Sequence, residues 1–447
     1  MRTYRELFRA PEFTPLFLTS AAQVAASTVT GLALGTLVYA ATGSPLLSAL
    51  SMFGPSLAQV IGATALLSAA DRLPPRAAMT GMALVFGLGT AAQAIPGVPI
   101  WAIFAILAGL GTVASPGGGV RYGLLTEILP AQGYLLGRSV LNMSVGIMQI
   151  CGFAVGGVLV ATLSARGALL AGSVLYLVAA AIARFGLSRR APRTAGRPSI
   201  TQTWRNNARL WSCASRRYVY LALWVPNGLI VGCESLYVPY APRHAGLLFA
   251  SAALGMLAGD TLTGRFVPPR WRERLGAPLR LLLAAPYLVF AVQPALPVAV
   301  AAVVLASVGY SASLLLQERL MALTPGELSG HALGLHSSGM LTMQGVGAAV
   351  AGVVAQRTSP GAAMAVMAAA SVAVTLILAP GLRSGPTPPQ PGRSRALTAG
   401  CARRSTSRKT DGPIHGHPEA DGTSGCQVSG QAGAARSVGG SGRSPAP

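Results

Sequence analysis

Charge is what this sequence has least of. Only 10% of its 447 residues are Asp, Glu, Lys or Arg, against about 25% in soluble domains, while 52% are hydrophobic. So few charges cannot cover a water-facing surface, which excludes an ordinary soluble protein. Acidic residues are scarcest, 12 against 34 Lys and Arg, giving a net charge of +22. In a soluble chain that excess would point to phosphate neutralisation on nucleic acid. Here the arginines are spaced between apolar runs rather than gathered into a patch, so nucleic acid is not the expected partner. The five cysteines include no CxxC: Cys151 and Cys233 lie inside apolar runs, and Cys213, Cys401 and Cys426 are scattered. That excludes a disulfide framework or a zinc site. His415 and His417 form a lone H-x-H pair with no second cluster, so no metal or other cofactor is expected. No G-x-x-x-x-G-K-[ST] sequence occurs, which removes the phosphate cradle that a chain burning ATP itself would need.

Long apolar runs are what the sequence has in abundance. They fall at about 14–40, 46–69, 77–95, 99–121, 139–163, 167–187, 218–240, 245–263, 277–294, 297–317, 332–356 and 361–381. Most reach the ~18 residues that mark a membrane-spanning helix, so the spacing predicts an all-α membrane protein with twelve transmembrane helices. With the N-terminus inside, the inner connections and N-terminal arm hold 22 Lys and Arg, the outer loops hold Arg166, Arg243 and Arg357, and nine follow residue 381. Positive charge is retained on the cytoplasmic side, so both termini are expected there, in a multi-pass protein of the cell membrane. The first run, behind Arg2, Arg5 and Arg9, is too long for a cleaved signal peptide and reads as the first span.

The chain also repeats itself. Arg72-Leu73-Pro74-Pro75-Arg76 returns as Arg265-Phe266-Val267-Pro268-Pro269-Arg270, with Arg72 and Arg265 lying 193 positions apart, and Gly137, Ser144, Gly146 and Gly152 pair with Gly330, Ser337, Gly339 and Gly345 at the same offset. Two pseudo-symmetric six-helix bundles are expected, over 1–187 and 218–381, joined by a basic cytoplasmic linker over 188–217 that reads as a solvated loop beside anionic headgroups. Residues 382–447, rich in Pro, Gly, Ser and Arg, read as a disordered basic tail. Duplicated bundles with a site between the copies are how many secondary transporters are built.

Ionisable side chains inside the bilayer cost at least ~2.5 kcal/mol and point to function. Glu234 is the one carboxylate deep in a run, in Gly232-Cys233-Glu234-Ser235-Leu236-Tyr237-Val238-Pro239-Tyr240. It is the candidate for proton coupling or for meeting a cationic substrate; the alternative is a packing role through a tyrosine or Arg243. Asp71 and Asp260 end the second and eighth runs beside Arg72, Arg76, Arg265 and Arg270, where charge-assisted bonds could make and break as the bundles rock; ordinary capping is the alternative. Pairing these two aspartates as the acids of an intramembrane enzyme is opposed by their places at the inner surface of separate repeats. A transporter-like sensor is a further alternative.

Pro116 followed by Gly117, Gly118 and Gly119 predicts a bend or unwound patch in the fourth span. Gly31-x-x-x-Gly35, Gly152-x-x-x-Gly156 and Gly255-x-x-x-Gly259 place small residues on one helical face, where backbones can approach. Gln23, Gln59, Gln93, Asn142, Gln149, Asn227, Gln344 and Tyr310 are candidates to face a cavity. Scattered hydrogen-bonding groups in an apolar wall suit an amphipathic organic molecule better than a sugar phosphate.

Residues 1–381 resemble the major facilitator superfamily. Asp71, Arg72 and Arg76 match the acidic and basic positions of its G-x-x-x-D-R-x-G-R-K signature, with Leu67, Pro74 and Pro75 at positions where the family has glycine, glycine and a basic residue. Gly152-Phe153-Ala154-Val155-Gly156-Gly157 is similar to the G-P-x-x-G-G element of drug/proton antiporters, with Phe153 in place of proline. The resemblance implies alternating access by two rocking bundles, commonly driven by protons, with a small molecule and protons as partners. It makes efflux of an organic compound the leading expectation, proton-coupled uptake the alternative, and leaves a monomer plausible.

Overall fold

The computed structural model describes residues 4–65, 74–191 and 200–383. Among the described residues, eleven helices are long and apolar enough to cross a membrane. One of them, Leu136–Gly186, has 51 residues, about 76 Å at 1.5 Å per residue, more than twice a bilayer's hydrocarbon thickness. It belongs to a helix, Ala131–Gly186, that folds at Ser164 (φ 78°, ψ 166°) into two arms. The crossings are therefore twelve.

Span one is Phe13–Thr42, ended by Gly43 in the left-handed conformation (φ 63°), which only glycine adopts without strain. Span two is Pro45–Ala65, span three Pro75–Ala94 and span four Ile100–Ile128, with spans five and six being the arms of Ala131–Gly186. The second half holds span seven, Ala214–Tyr240; eight, Ala245–Phe266; nine, Leu275–Val292; ten, Leu296–Ala322; eleven, Gly326–Arg357; and twelve, Pro360–Leu382. Pro45, Pro75, Pro269 and Pro360 each open a helix, where the missing N–H is not needed.

The helices outrun several apolar runs. Span four continues past residue 121 to Ile128, and span five begins at Ala131 rather than 139. Backbone hydrogen bonding carries a helix beyond the hydrocarbon once it is started, so Arg121, Glu127 and Arg138 are helical instead of lying in a loop. The linker differs too. Ile200–Ser212 is a helix that buries Asn206 and Leu210 and exposes Trp204, Arg205 and Arg209. Arg216 caps it through Arg209 O (2.8 Å) and Leu210 O (3.1 Å) and also donates to Leu323 O (3.3 Å). Asn206 meets His331 at 3.2 Å. Spacing of four between buried residues is helical, and these bonds pin the helix to the second half.

The interface between the halves is made by span two on span eleven and span five on span eight. Its contacts run from the end opposite the N-terminus, here the far end, to the middle of the spans. At the far end Gln356 donates to Ser44 Oγ (2.6 Å), and a Cβ on Gly246 would lie 2.6 Å from Gly157 Cα and 2.9 Å from Phe153 O. Phe153 stacks on Phe249 with ring centres 4.7 Å apart. Midway along, a Cβ on Gly345 would overlap Leu57, and one on Gly146 would lie 3.4 Å from Leu257. Other glycines serve contacts within a half: Gly152 and Gly156 on span one, Gly255 and Gly259 on span ten, Gly339 under the Trp224 ring. Gly31 does not. A Cβ there meets nothing within 4 Å, while Gly35 packs on Met52. The outward faces carry Ile61, Leu88, Trp101 and Ile377, exposed as lipid-facing side chains are.

At the near end of the first half, Arg190 forms a bidentate pair with Glu12 (2.6 and 3.0 Å) and reaches Glu127 at 3.4 Å. Partial burial raises the Glu12 carboxyl, but the bonds from Arg190 and Ser188 outweigh it and hold the group below its ordinary 4.5. A depressed folded value means that the clamp's contribution is complete above the ordinary value and is lost as pH falls through the folded one. Glu12→Gln is expected to cost about 1 kcal/mol at pH 7, the scale of a partly exposed ion pair. In thermal unfolding the gap to wild type should close as pH falls through the lowered value of Glu12; a gap independent of pH would contradict the clamp.

Candidate functional site

Glu234 lies six residues before the end of span seven, about 9 Å from the far end at 1.5 Å per residue. It is buried, 9% exposed. Tyr310 donates to its Oε1 at 3.0 Å, and the hydroxyls of Tyr237 and Tyr287 lie 2.5 Å apart beside it. Among the described residues no Lys, Arg or His pairs with Glu234; the partner is a tyrosine, and Arg243 stays in an exposed turn.

Helix interruptions place these four groups. Span seven breaks at Leu236, directly after the glutamate's turn, and Tyr237 opens the short helix that follows. In span nine the α-helix gives way to a 3-10 segment, Ala285–Val292, which carries Tyr287. In span ten a 3-10 turn, Gly309–Ser311, carries Tyr310. Gly309 is required there: a Cβ would sit 2.6 Å from Leu279 O and Leu283 Cα of span nine. Short 3-10 stretches inside a helix mark functional hinges or strain, and three helix interruptions surround one carboxyl. Span seven itself is held tightly, since a Cβ on Gly228 would lie 2.5 Å from Met343 O and one on Gly232 would lie 2.7 Å from Gly347 O, both on span eleven. From Tyr237 an edge-on contact to Phe249 (4.8 Å), and from there the stack on Phe153, carry aromatic packing across to the first half.

The other candidates are dispersed. Asp71 and Arg72 lie outside the described residues. Arg76 sits in the first turn of span three, half-buried. Asp260 is exposed on span eight without an ion pair among the described residues, Arg265 is exposed, and Arg270 begins the helix into span nine. The expected bend in span four is present: the helix stops at Ala114 and restarts at Gly117, leaving Ser115 and Pro116 between. Gly118 has open space around it, as a Cβ there meets nothing within 4 Å. Asn142 accepts from the Tyr122 hydroxyl at 2.8 Å; Asn227 is buried, and Gln149 and Gln344 are half-buried.

Gln23, Gln59 and Gln93 converge on one cavity in the first half, of about 350 Å³. Reading the sequence alone missed Tyr237 and Tyr287. For Tyr287 the signal was a helix breaker directly before the tyrosine, Pro286-Tyr287, as at Gly309-Tyr310; Tyr237, which follows Leu236, carries no such signal. Arg280, inside the run at 277–294, is 4% exposed within span nine, with Nε donating to Gly276 O (3.2 Å).

The sequence model described as Major Facilitator Superfamily matches residues 16–317. No curated protein matches the chain. Among solved structures, the fold is similar to a bacterial homologue of the human lysosomal transporter Spinster in an inward-facing, unoccupied conformation, with TM-score 0.62 and 14% identity over 86% of this chain and 96% of that one. It is similar as well to a point mutant of the nucleoside transporter NupG, with TM-score 0.67 and 12% identity over 83% and 99%. A POT family transporter in complex with 5-aminolevulinic acid gives 0.66 and 11% over 82% and 95%. At these identities the likeness is one of fold alone, and the family match over more than half the sequence carries the assignment. With its twelve crossings in two halves, the chain belongs to the major facilitator superfamily and is a secondary transporter rather than an enzyme.

Proposed function

We propose that the protein exports a small organic compound from the cytoplasm in exchange for protons, with Glu234 as the proton-carrying group. The observation that carries this reading is a carboxyl enclosed within a span, hydrogen-bonded to a tyrosine hydroxyl and facing no cation among the described residues. An ionised carboxylate there accepts from Tyr310; a protonated one has an O–H of its own to place, and the hydroxyls of Tyr237 and Tyr287 are the polar groups beside it. The two states ask for different arrangements at three helix breaks, which is what linking a proton to a bundle movement requires.

Arginine placement supports a cytoplasmic near end, with both termini there in the cell membrane. The far end, closed by the Gly157–Gly246 contact, then faces outward. The Gly152–Gly157 element, similar to that of drug/proton antiporters, supports export. The test is flux in sealed vesicles with the near end outward and an acidic lumen. Exchange predicts that the compound accumulates inside as protons leave. Movement of compound and protons in the same direction would establish uptake instead, and no gradient-dependent movement of any compound would refute coupled transport.

A further inference from the structure

The first half holds a cavity that the proton chemistry of the second half does not use. It lies between spans one, two, three, four and six, and among the described residues its lining contains no Asp, Glu, Lys, Arg or His. At about 350 Å³ it is at the small end of ligand pockets, which run about 300–1,000 Å³. Its walls are largely apolar, with Leu, Met, Pro and Phe side chains, into which Gln23, Gln59, Gln93, Thr90 and Tyr176 bring hydrogen-bonding groups.

Gln93 is the telling member. Its side chain is 3% exposed, and its Nε2 has no partner. A buried amide without a partner costs about 1–3 kcal/mol, and in hydrocarbon surroundings such groups persist where they serve a cavity. Gly31 is the second independent sign. It lines the same cavity, and a Cβ on it would meet nothing within 4 Å, so the backbone of span one is left bare where any larger residue would take up the space. A close approach of a ligand to the backbone is one use for such a glycine.

We propose that this cavity is a binding site for an uncharged amphipathic molecule, one with an apolar ring or short chain and a carbonyl or hydroxyl oxygen that accepts from the Gln93 amide. An ion in the cavity would face only amides and hydroxyls, which cannot offset the loss of its hydration, so neutrality is the selectivity rule of the site. The proposal rests on the transport reading only in taking this molecule to be the cargo; occupancy of the cavity is a separate matter and is measured separately.

Three phenols of similar size test it on the full chain in detergent by equilibrium dialysis: uncharged 4-hydroxyacetanilide, anionic 4-hydroxybenzoate and cationic tyramine. The expected result is saturable binding of 4-hydroxyacetanilide with both ions at least tenfold weaker. Gly31→Leu, which fills the cavity, and Gln93→Leu, which removes the donor, should each weaken 4-hydroxyacetanilide at least tenfold while eluting as wild type in size exclusion. Should one variant fail to fold, the other carries the test. Ions binding as tightly as the neutral phenol, a folded Gly31→Leu or Gln93→Leu with unchanged affinity, or no saturable binding of any of the three would each overturn the site. Binding intact in the wild-type protein with no proton-linked flux of any compound would refute the transport reading and leave the cavity standing.

Discussion

Replacing Glu234 by glutamine is expected to reduce pH-gradient-driven flux to the level of protein-free vesicles. The substitution is nearly isosteric, and the amide oxygen can still accept the Tyr310 hydroxyl that now donates to Oε1 at 3.0 Å, so the turn before Leu236 keeps its bond. What the amide cannot do is take up and release a proton. Exchange of labelled for unlabelled compound at equal pH on both sides needs no net proton movement and should persist. The two assays separate coupling from packing: a glutamate that only held helices together would lose both together or neither. Retention of wild-type pH dependence in a folded Glu234→Gln protein would remove Glu234 from the mechanism.

Gly246→Leu should have a comparably large effect by a different route. At this position span eight meets span five almost backbone to backbone, since even a Cβ would lie 2.6 Å from Gly157 Cα. A leucine cannot be accommodated by a side-chain adjustment, because the atoms in the way are main chain. Overpacking costs typically about 1–3 kcal/mol, and applied only to the state in which the far end is shut, it displaces the equilibrium between states by roughly 5–150-fold. The expected outcome is a protein that folds but rests with its far end open. Spin labels on the outer ends of spans five and eight should report a longer distance than in wild type, and net transport should fall. An unchanged distance distribution would mean that the close approach is not a gate.

The twelve crossings and their duplication were legible because hydrocarbon imposes a simple rule on composition. A run of apolar residues must be long enough, and Leu136–Gly186 was divisible because the runs at 139–163 and 167–187 meet at polar Ser164 and Arg166. Helix ends were less legible, since hydrophobicity reports where lipid stops and not where backbone hydrogen bonding stops, as Arg121 and Arg138 illustrate. Glu234 stood out as a charge in the wrong medium. Its surroundings did not, because Tyr287 and Tyr310 come from spans nine and ten and are turned inward by local 3-10 geometry that apolar periodicity does not encode. The grouping of Gln23, Gln59 and Gln93 was likewise hidden, for each is unremarkable on its own helix and meaningful only once three helices are side by side.

The paired glycines have a consequence for how the two copies came to depend on each other. Gly152 and Gly345 stand 193 residues apart, yet Gly152 packs on span one of its own half while Gly345 receives Leu57 from the other. Within the second half the residue equivalent to Leu57 is Ala250. Two copies of that half joined in the ancestral manner would set glycine against alanine and leave a void where a leucine now fills the seam. The halves have diverged at this seam, so the second half no longer carries the leucine that its own glycine receives.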